Sequence, residues 1–339
     1  MKTLDQFAAD FCKERHNTSE YRLESLRGGR NNAVFKLSLL GHDYVLKQYF
    51  RHPGDSRDRG ATEYDFVSYA WQNNIRRVPC PLLFDNAVGI AAYEFIDGKK
   101  LQPTDVSGLS LNQANDFLAE LNAAHLERRN FTRVASEACF SLLEHLGCIE
   151  SRVLRLVRHQ FEGELAEQVA DFVHRFVAPE WERIRANVEE QCRSNKFSLS
   201  ETLSEAERLI SPSDFGFHNA IQLSNGEIRF LDFEYAGWDD PAKTICDFFL
   251  QPAVPVPLSM FDDFLLGALG CTAVDIKTHR LKTQILFEPY KIKWCCIMLN
   301  EFMPVSKVRR DFSSSEHLNF ERLQSQLDKA KACLSKSLQ

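Results

Sequence analysis

A short segment centred on an asparagine–glycine pair constrains this chain more than any other feature. Ala220 to Leu223 is apolar, Ser224-Asn225-Gly226-Glu227 is polar, and Ile228, Phe230 and Leu231 are apolar again. Asn-Gly is a favoured pair for a tight hairpin turn, so the two apolar runs are expected to pair as antiparallel strands. Asn219 stands just before the first strand and Asp232 just after the second, so the turn itself brings them side by side. Upstream, Ser-Pro-Ser-Asp-Phe-Gly-Phe-His-Asn at 211–219 places Asp214 five residues before Asn219.

That spacing suits phosphoryl transfer. The reaction needs a carboxylate to accept the proton of the acceptor hydroxyl, and an amide and a second carboxylate to hold magnesium on the nucleotide phosphates. Asp214 fits the first role, and Asn219 and Asp232 fit the second. The plain alternative is a solvated surface hairpin with incidental aspartates. Asp-x4-Asn recurs by chance in unrelated chains, and the hairpin with the trailing Leu231-Asp232-Phe233-Glu234 is what makes it informative.

The first hundred residues read as strand-rich. Tyr21–Arg27, Ala33–Leu40 and Tyr44–Phe50 are expected strands, separated by turns at 28–32 and 41–43. Ala61–Trp71 has helical spacing, and two further strands lie at 82–84 and 90–95. The break at Ile96-Asp97-Gly98-Lys99-Lys100 marks the expected boundary between an N-terminal nucleotide-binding lobe (1–97) and a helical C-terminal lobe (98–339). In the latter, helices are expected at 112–127, 134–146, 161–191, 242–250, 258–269, 277–300 and 315–338. Pro289 is expected to interrupt the one that contains it.

Five further places could carry chemistry. Gly28-Gly29-Arg30-Asn31-Asn32 is either an ordinary glycine hairpin or a turn whose N–H groups approach phosphate oxygens, through Gly28, Gly29, Asn31 and Asn32. Lys47 shares a strand face with Val45 by period-2 alternation, as a solvated edge lysine or as a phosphate ligand. Glu63 either favours the dipole of a helix first turn or ion-pairs with Lys47, with Asp65 and Glu94 as competing partners. Tyr93 to Gly98, including Glu94 and Ile96, is either a plain strand end or a segment whose backbone pairs with an adenine edge. Tyr290 and Trp294, four apart in a late helix, suit either a packed core or an acceptor pocket.

Composition excludes several classes. A net charge of −6 with no long Lys/Arg run argues against a nucleic-acid surface. No apolar run approaches the roughly 18 residues of a membrane span, and the start lacks an apolar signal core. The 10 cysteines include no Cys-x2-Cys pair, which fits free thiols and a cytoplasmic location.

In chain order, these motifs resemble the aminoglycoside phosphotransferase/choline kinase family, a branch of the protein-kinase-like fold. The resemblance implies an α+β, two-lobed fold with a small antiparallel-sheet lobe and a larger helical lobe, binding ATP and Mg2+. It implies Gly28–Asn32 as nucleotide loop, Lys47 as phosphate lysine with Glu63 as helix partner, Tyr93–Gly98 as hinge, Asp214 as base, and Asn219 and Asp232 as metal ligands. Pro212 departs from the family's usual loop histidine, which keeps open a catalytically impaired, nucleotide-binding regulatory protein. No Ala-Pro-Glu activation segment is found, so the expected acceptor is a hydroxyl of a small metabolite: an amino alcohol, a sugar or an amino sugar.

Overall fold

The structure is a computed structural model that describes residues 3–26, 32–52, 55, 57–123, 130–304 and 320–334. The glycine-turn residues Gly28, Gly29 and Asn31 lie outside the described residues. Internal contacts divide the chain into two compact units. The first holds the described residues up to Lys100 together with Asn219–Ala236. The second holds Leu101–His218, Gly237–Ser306 and the described residues that follow.

The first unit opens on a helix, α1 (Leu4–His16), where the strand-rich reading placed nothing. The Thr3 hydroxyl accepts from the Gln6 N–H and caps it. Phe7, Ala8, Phe11 and Cys12 recur at helical spacing and bury against Leu37, Leu39, Leu46, Ile90 and Ala92 of a sheet. The sheet comprises β1 (Arg22–Leu26), β2 (Ala33–Leu39), β3 (His42–Gln48), β4 (Pro81–Asp85) and β5 (Ile90–Glu94), antiparallel in the order β1-β2-β3-β5-β4. The β2–β3 turn is tighter than expected. Leu39 pairs with His42, and Leu40 and Gly41 both take positive φ, 48° and 78°. A leucine in that conformation is uncommon, so its residue type gives no turn signal.

Helix α2 (Arg59–Gln72) starts two residues before the expected Ala61, because Asp58 caps it by accepting from the Ala61 N–H. Glu63 therefore sits beyond the first turn, and the helix-dipole explanation for it falls away. The predicted hairpin forms with strands Ala220–Gln222 and Ile228–Phe230, in register Ala220↔Phe230. Gly226 takes φ 87°, and the Asn225 side chain accepts from the Glu227 N–H. A short strand, Lys99–Lys100, extends this sheet along Gln222 and Ile221. Gly98 runs so close to Gln222 that a Cβ would lie 2.5 Å from its carbonyl oxygen.

The second unit is mostly helical, with one two-stranded antiparallel pair, Leu209–Ser211 and Gly237–Asp239. Three expectations need correction here. The helix expected at 134–146 runs from Leu142 to Val157, because Ser141 caps it by accepting from the Glu144 N–H, while Val134 bridges Trp238. The helix expected over 161–191 starts at Ala166 and passes through a π turn, Val173–Val177, before continuing as Ala178–Asn195. Ile276–Leu299 runs unbroken through Pro289. Burial of Phe287, Pro289 and Tyr290 and their neighbours holds that helix together despite the missing N–H.

Candidate active site

In the first unit, Lys47 is the centre of a buried charge cluster. Alternation along β3 sends Leu46 into the α1-facing core and Lys47 to the opposite face. Lys47 is only 8% exposed. Its Nζ lies 2.6 Å from Glu63 Oε2 and 2.5 Å from Asp232 Oδ1. The helix glutamate and the residue ending the hairpin thus meet on one ammonium. Of the two remaining candidate partners, Glu94 instead accepts from the Cys80 N–H at 3.0 Å.

Other groups fix the glutamate. The Tyr49 hydroxyl donates to Glu63 Oε2 at 2.8 Å and lies 2.9 Å from the Tyr93 hydroxyl. The Phe233 N–H donates to Glu63 Oε1 at 3.4 Å, and the Phe233 ring packs on Phe66 of α2 with centroids 4.6 Å apart. The segment carrying Asp232 is therefore pinned to the helix carrying Glu63. Burial opposes the charge on Lys47, but Asp232, Glu63 and Glu234 hold its ammonium well above the ordinary lysine range. Burial pushes the Glu63 carboxyl up; Lys47 pulls it back, and Asp232 and Glu234 push it up again.

Asp232 differs from its neighbours. Its side chain is 37% exposed, and its backbone is left-handed, φ 67°. A non-glycine residue in that region costs on the order of 1–3 kcal/mol and persists where surrounding contacts over-determine it. The Leu231 N–H donates to the Asn219 carbonyl at 2.8 Å, so the hairpin ladder runs up to both expected metal ligands. Among the described residues no group of three His, Cys, Asp or Glu could hold a metal ion. One carboxylate and one amide suit magnesium, which takes few protein oxygens and completes its shell with phosphate oxygens and water.

In the second unit, the loop carrying Asp214 is anchored by aromatic rings. Phe215 and Phe217 are buried and lie 5.3 and 5.4 Å, centroid to centroid, from Phe248. Between these anchors and Ser211 the backbone turns sharply: Ser213 and Asp214 both take positive φ, 48° and 43°. Asp214 keeps about a third of its side chain exposed, and the His218 imidazole Nε2 donates to its Oδ1 at 3.3 Å. Gly216 leaves room for that ring, since a Cβ there would sit 2.8 Å from His218 Nδ1. His218 stands one residue before Asn219 in this loop. The structure places it against the expected base, where Pro212 had left the loop without its usual histidine.

The nucleotide-side expectations meet mixed outcomes. Asn32 is buried and binds Glu234, a contact no sequence signal announced. Val45 is half-buried and pairs across the sheet with Lys36 and Tyr93. Glu94 spends its backbone N–H on the Cys80 carbonyl, and Ile96 is buried. Tyr290 and Trp294 belong to the core: the Tyr290 hydroxyl bonds His145 Nδ1 at 2.7 Å, and Trp294 Nε1 donates to Asp247 at 2.9 Å. Of the two readings left open for them, their burial favours the packed core.

A model of the phosphotransferase enzyme family matches residues 22–248. A search of curated protein sequences finds no significant match. Among solved structures, an ethanolamine kinase of Plasmodium vivax is similar with a TM-score of 0.63 at 15% identity, covering 96% of this chain and 87% of that one. A spectinomycin phosphotransferase solved with ADP and spectinomycin is similar at 0.63 and 12% identity, covering 97% and 98%. A choline kinase from Streptococcus pneumoniae follows at 0.55 and 15%, covering 98% and 99%. At these identities the likeness is one of fold, the kinase-like α+β fold.

Proposed function

This chain belongs to the phosphotransferase enzyme family, and from that premise we propose that it moves the γ-phosphoryl group of ATP to a hydroxyl of a small metabolite. The observation that carries the proposal is the Glu63–Lys47–Asp232 cluster: a buried ammonium fixed by one buried carboxylate and shared with a second that stays partly exposed. A lysine so held neutralises phosphate charge without moving, which is the electrostatic preorganisation that phosphoryl transfer requires.

Asp214 is the proposed base. It orients the acceptor hydroxyl and takes its proton as the new oxygen–phosphorus bond forms and the bond to the departing ADP breaks. His218, hydrogen-bonded to Asp214 Oδ1, keeps that carboxylate in place. Asn219 and Asp232 are the proposed magnesium ligands. The metal, when bound, neutralises charge developing on the phosphates. Most of the rate gain would be positioning and electrostatics.

An amino alcohol, a sugar or an amino sugar is the acceptor class this reading favours. The ethanolamine, choline and spectinomycin kinases of like fold all have small acceptors in their names. The test is phosphate transfer from labelled ATP to pooled metabolites. Wild-type protein should label at least one hydroxyl compound, and Asp214→Asn should bind ATP within about threefold of wild type while losing transfer by a factor of about 1,000 or more. Retention of a tenth of wild-type turnover would remove Asp214 from the base role.

A further inference from the structure

Glu234 is the most deeply buried of the described carboxylates of the first unit, at 1% exposure, and it stands two residues from Asp232. A buried carboxylate is costly unless it is paired and hydrogen-bonded. Its Oε2 accepts from Asn32 Nδ2 at 2.7 Å, a contact spanning 202 residues of sequence. The other end of the same amide is also committed: Asn32 Oδ1 accepts from the Phe50 N–H at 3.1 Å. That pair of bonds fixes the amide's orientation, because only its nitrogen can donate to the carboxylate and only its oxygen can accept from the backbone. Arg59, 2% exposed, holds Nε 3.9 Å from the same Glu234 oxygen. That is too long for a hydrogen bond, so Arg59 supplies charge there and Asn32 supplies direction.

We propose that Asn32 and Glu234 form a positioning pair that holds the Asp232 segment against the strand carrying Lys47, and thereby sets affinity for the magnesium nucleotide. Phe50 lies three residues beyond Lys47, and Glu234 two beyond Asp232. The Phe50–Asn32–Glu234 chain is thus a second tie between the two segments that the Lys47–Asp232 ion pair already joins. With both ties, the ammonium and the carboxylate keep one separation when a cation and phosphates compete for them. With only the ion pair, the Asp232 segment keeps its Phe233 tie to α2 but loses this second hold on the Lys47 strand. Neither residue touches the nucleotide in this account; both act through Lys47 and Asp232. The inference rests on the proposed ATP-dependent reaction.

The experiment is a double-mutant cycle on the full chain, read as the calorimetric Kd for ATP with magnesium, beside the melting temperature and the acceptor KM. Asn32→Ala and Glu234→Ala should each weaken binding about tenfold, and the double variant no more than either single one. Glu234→Gln keeps an oxygen that can accept from Asn32 and should recover affinity to within about threefold of wild type. Acceptor KM should stay unchanged throughout. If Glu234→Ala does not fold, Glu234→Leu, which also removes the acceptor oxygen, takes its place in the cycle. Additive losses, or a lowered melting temperature with Kd within about twofold of wild type, overturn the pair while leaving the phosphotransferase reading intact. Wild-type protein that binds no ATP at all overturns both.

Discussion

Four carboxylates gather in the first unit, Glu63 and Asp232 on Lys47 and Glu234 and Asp55 on Arg59, and three others gather around basic partners in the second. The second set is closed. Asp239 pairs with Lys243 and accepts from the Cys139 N–H. Asp240 is bonded by His145 at 3.1 Å and His279 at 2.8 Å. Asp247 takes Lys293 at 2.7 Å and Trp294 at 2.9 Å. Each has partners of its own, and none is more than 10% exposed at its side chain. The first set shares its cations. Glu63 and Asp232 divide one ammonium, and Asp232 keeps 37% of its side chain in reach of solvent on a left-handed backbone. Saturated carboxylates hold a fold together, whereas an under-neutralised and partly exposed one is arranged to take a cation.

Breaking the closed set should cost the most stability. Asp247→Ala strands the Lys293 ammonium in the interior, and removing one partner of a buried pair costs about 3–5 kcal/mol. Denaturant unfolding should show that loss, and a cost below about 1 kcal/mol would mean the cluster is not structural. Trp294→Ala should cost about 3 kcal/mol, from lost packing and the lost bond to Asp247. Acceptor KM should not move selectively, and a selective rise at normal stability would favour the pocket reading instead.

Asp240 sharpens the contrast through pH. Burial opposes its charge, but the His279 and His145 imidazoles hold its carboxyl below the ordinary carboxylate range. A depressed carboxyl contributes stability above its unfolded value, near 4, and loses it as pH falls through the folded value. Asp240→Asn should therefore be most destabilising, relative to wild type, at neutral pH, and the gap should narrow below about pH 4. A gap that widens on acidification would contradict the assignment. In the open set, Asp232→Ala should change stability least, by about 1 kcal/mol or less, because Lys47 retains Glu63.

The same contrast explains what the sequence disclosed. The hairpin at 220–230 was legible because Asn225-Gly226 carries its own turn chemistry, and residues 219 and 232 follow from it by register. Lys47 was legible as a cation on a strand face, but its partnership was open, because the ion pair depends on where α2 begins, and Asp58 sets that. Helix α1 had a readable signal, since Thr3, Phe7, Ala8 and Phe11 follow the capping and spacing rules. The passage through Pro289 and the π turn at Val173–Val177 were not legible, because tertiary burial overrides local propensity there. The Asn32–Glu234 and His218–Asp214 contacts arise from close packing, the first between residues 202 apart and the second beside a backbone with two consecutive positive φ angles. No periodicity encodes either.

Magnesium dependence of ATP binding tests the central claim most directly. Calorimetric titrations would compare wild-type protein, Asp232→Ala and Asp247→Ala, with magnesium and with chelator. The account predicts that magnesium tightens ATP binding about tenfold or more in wild type and in folded Asp247→Ala, and by less than about twofold in Asp232→Ala. Equal affinity with and without magnesium in the wild-type chain, or a full magnesium effect retained by Asp232→Ala, would contradict it.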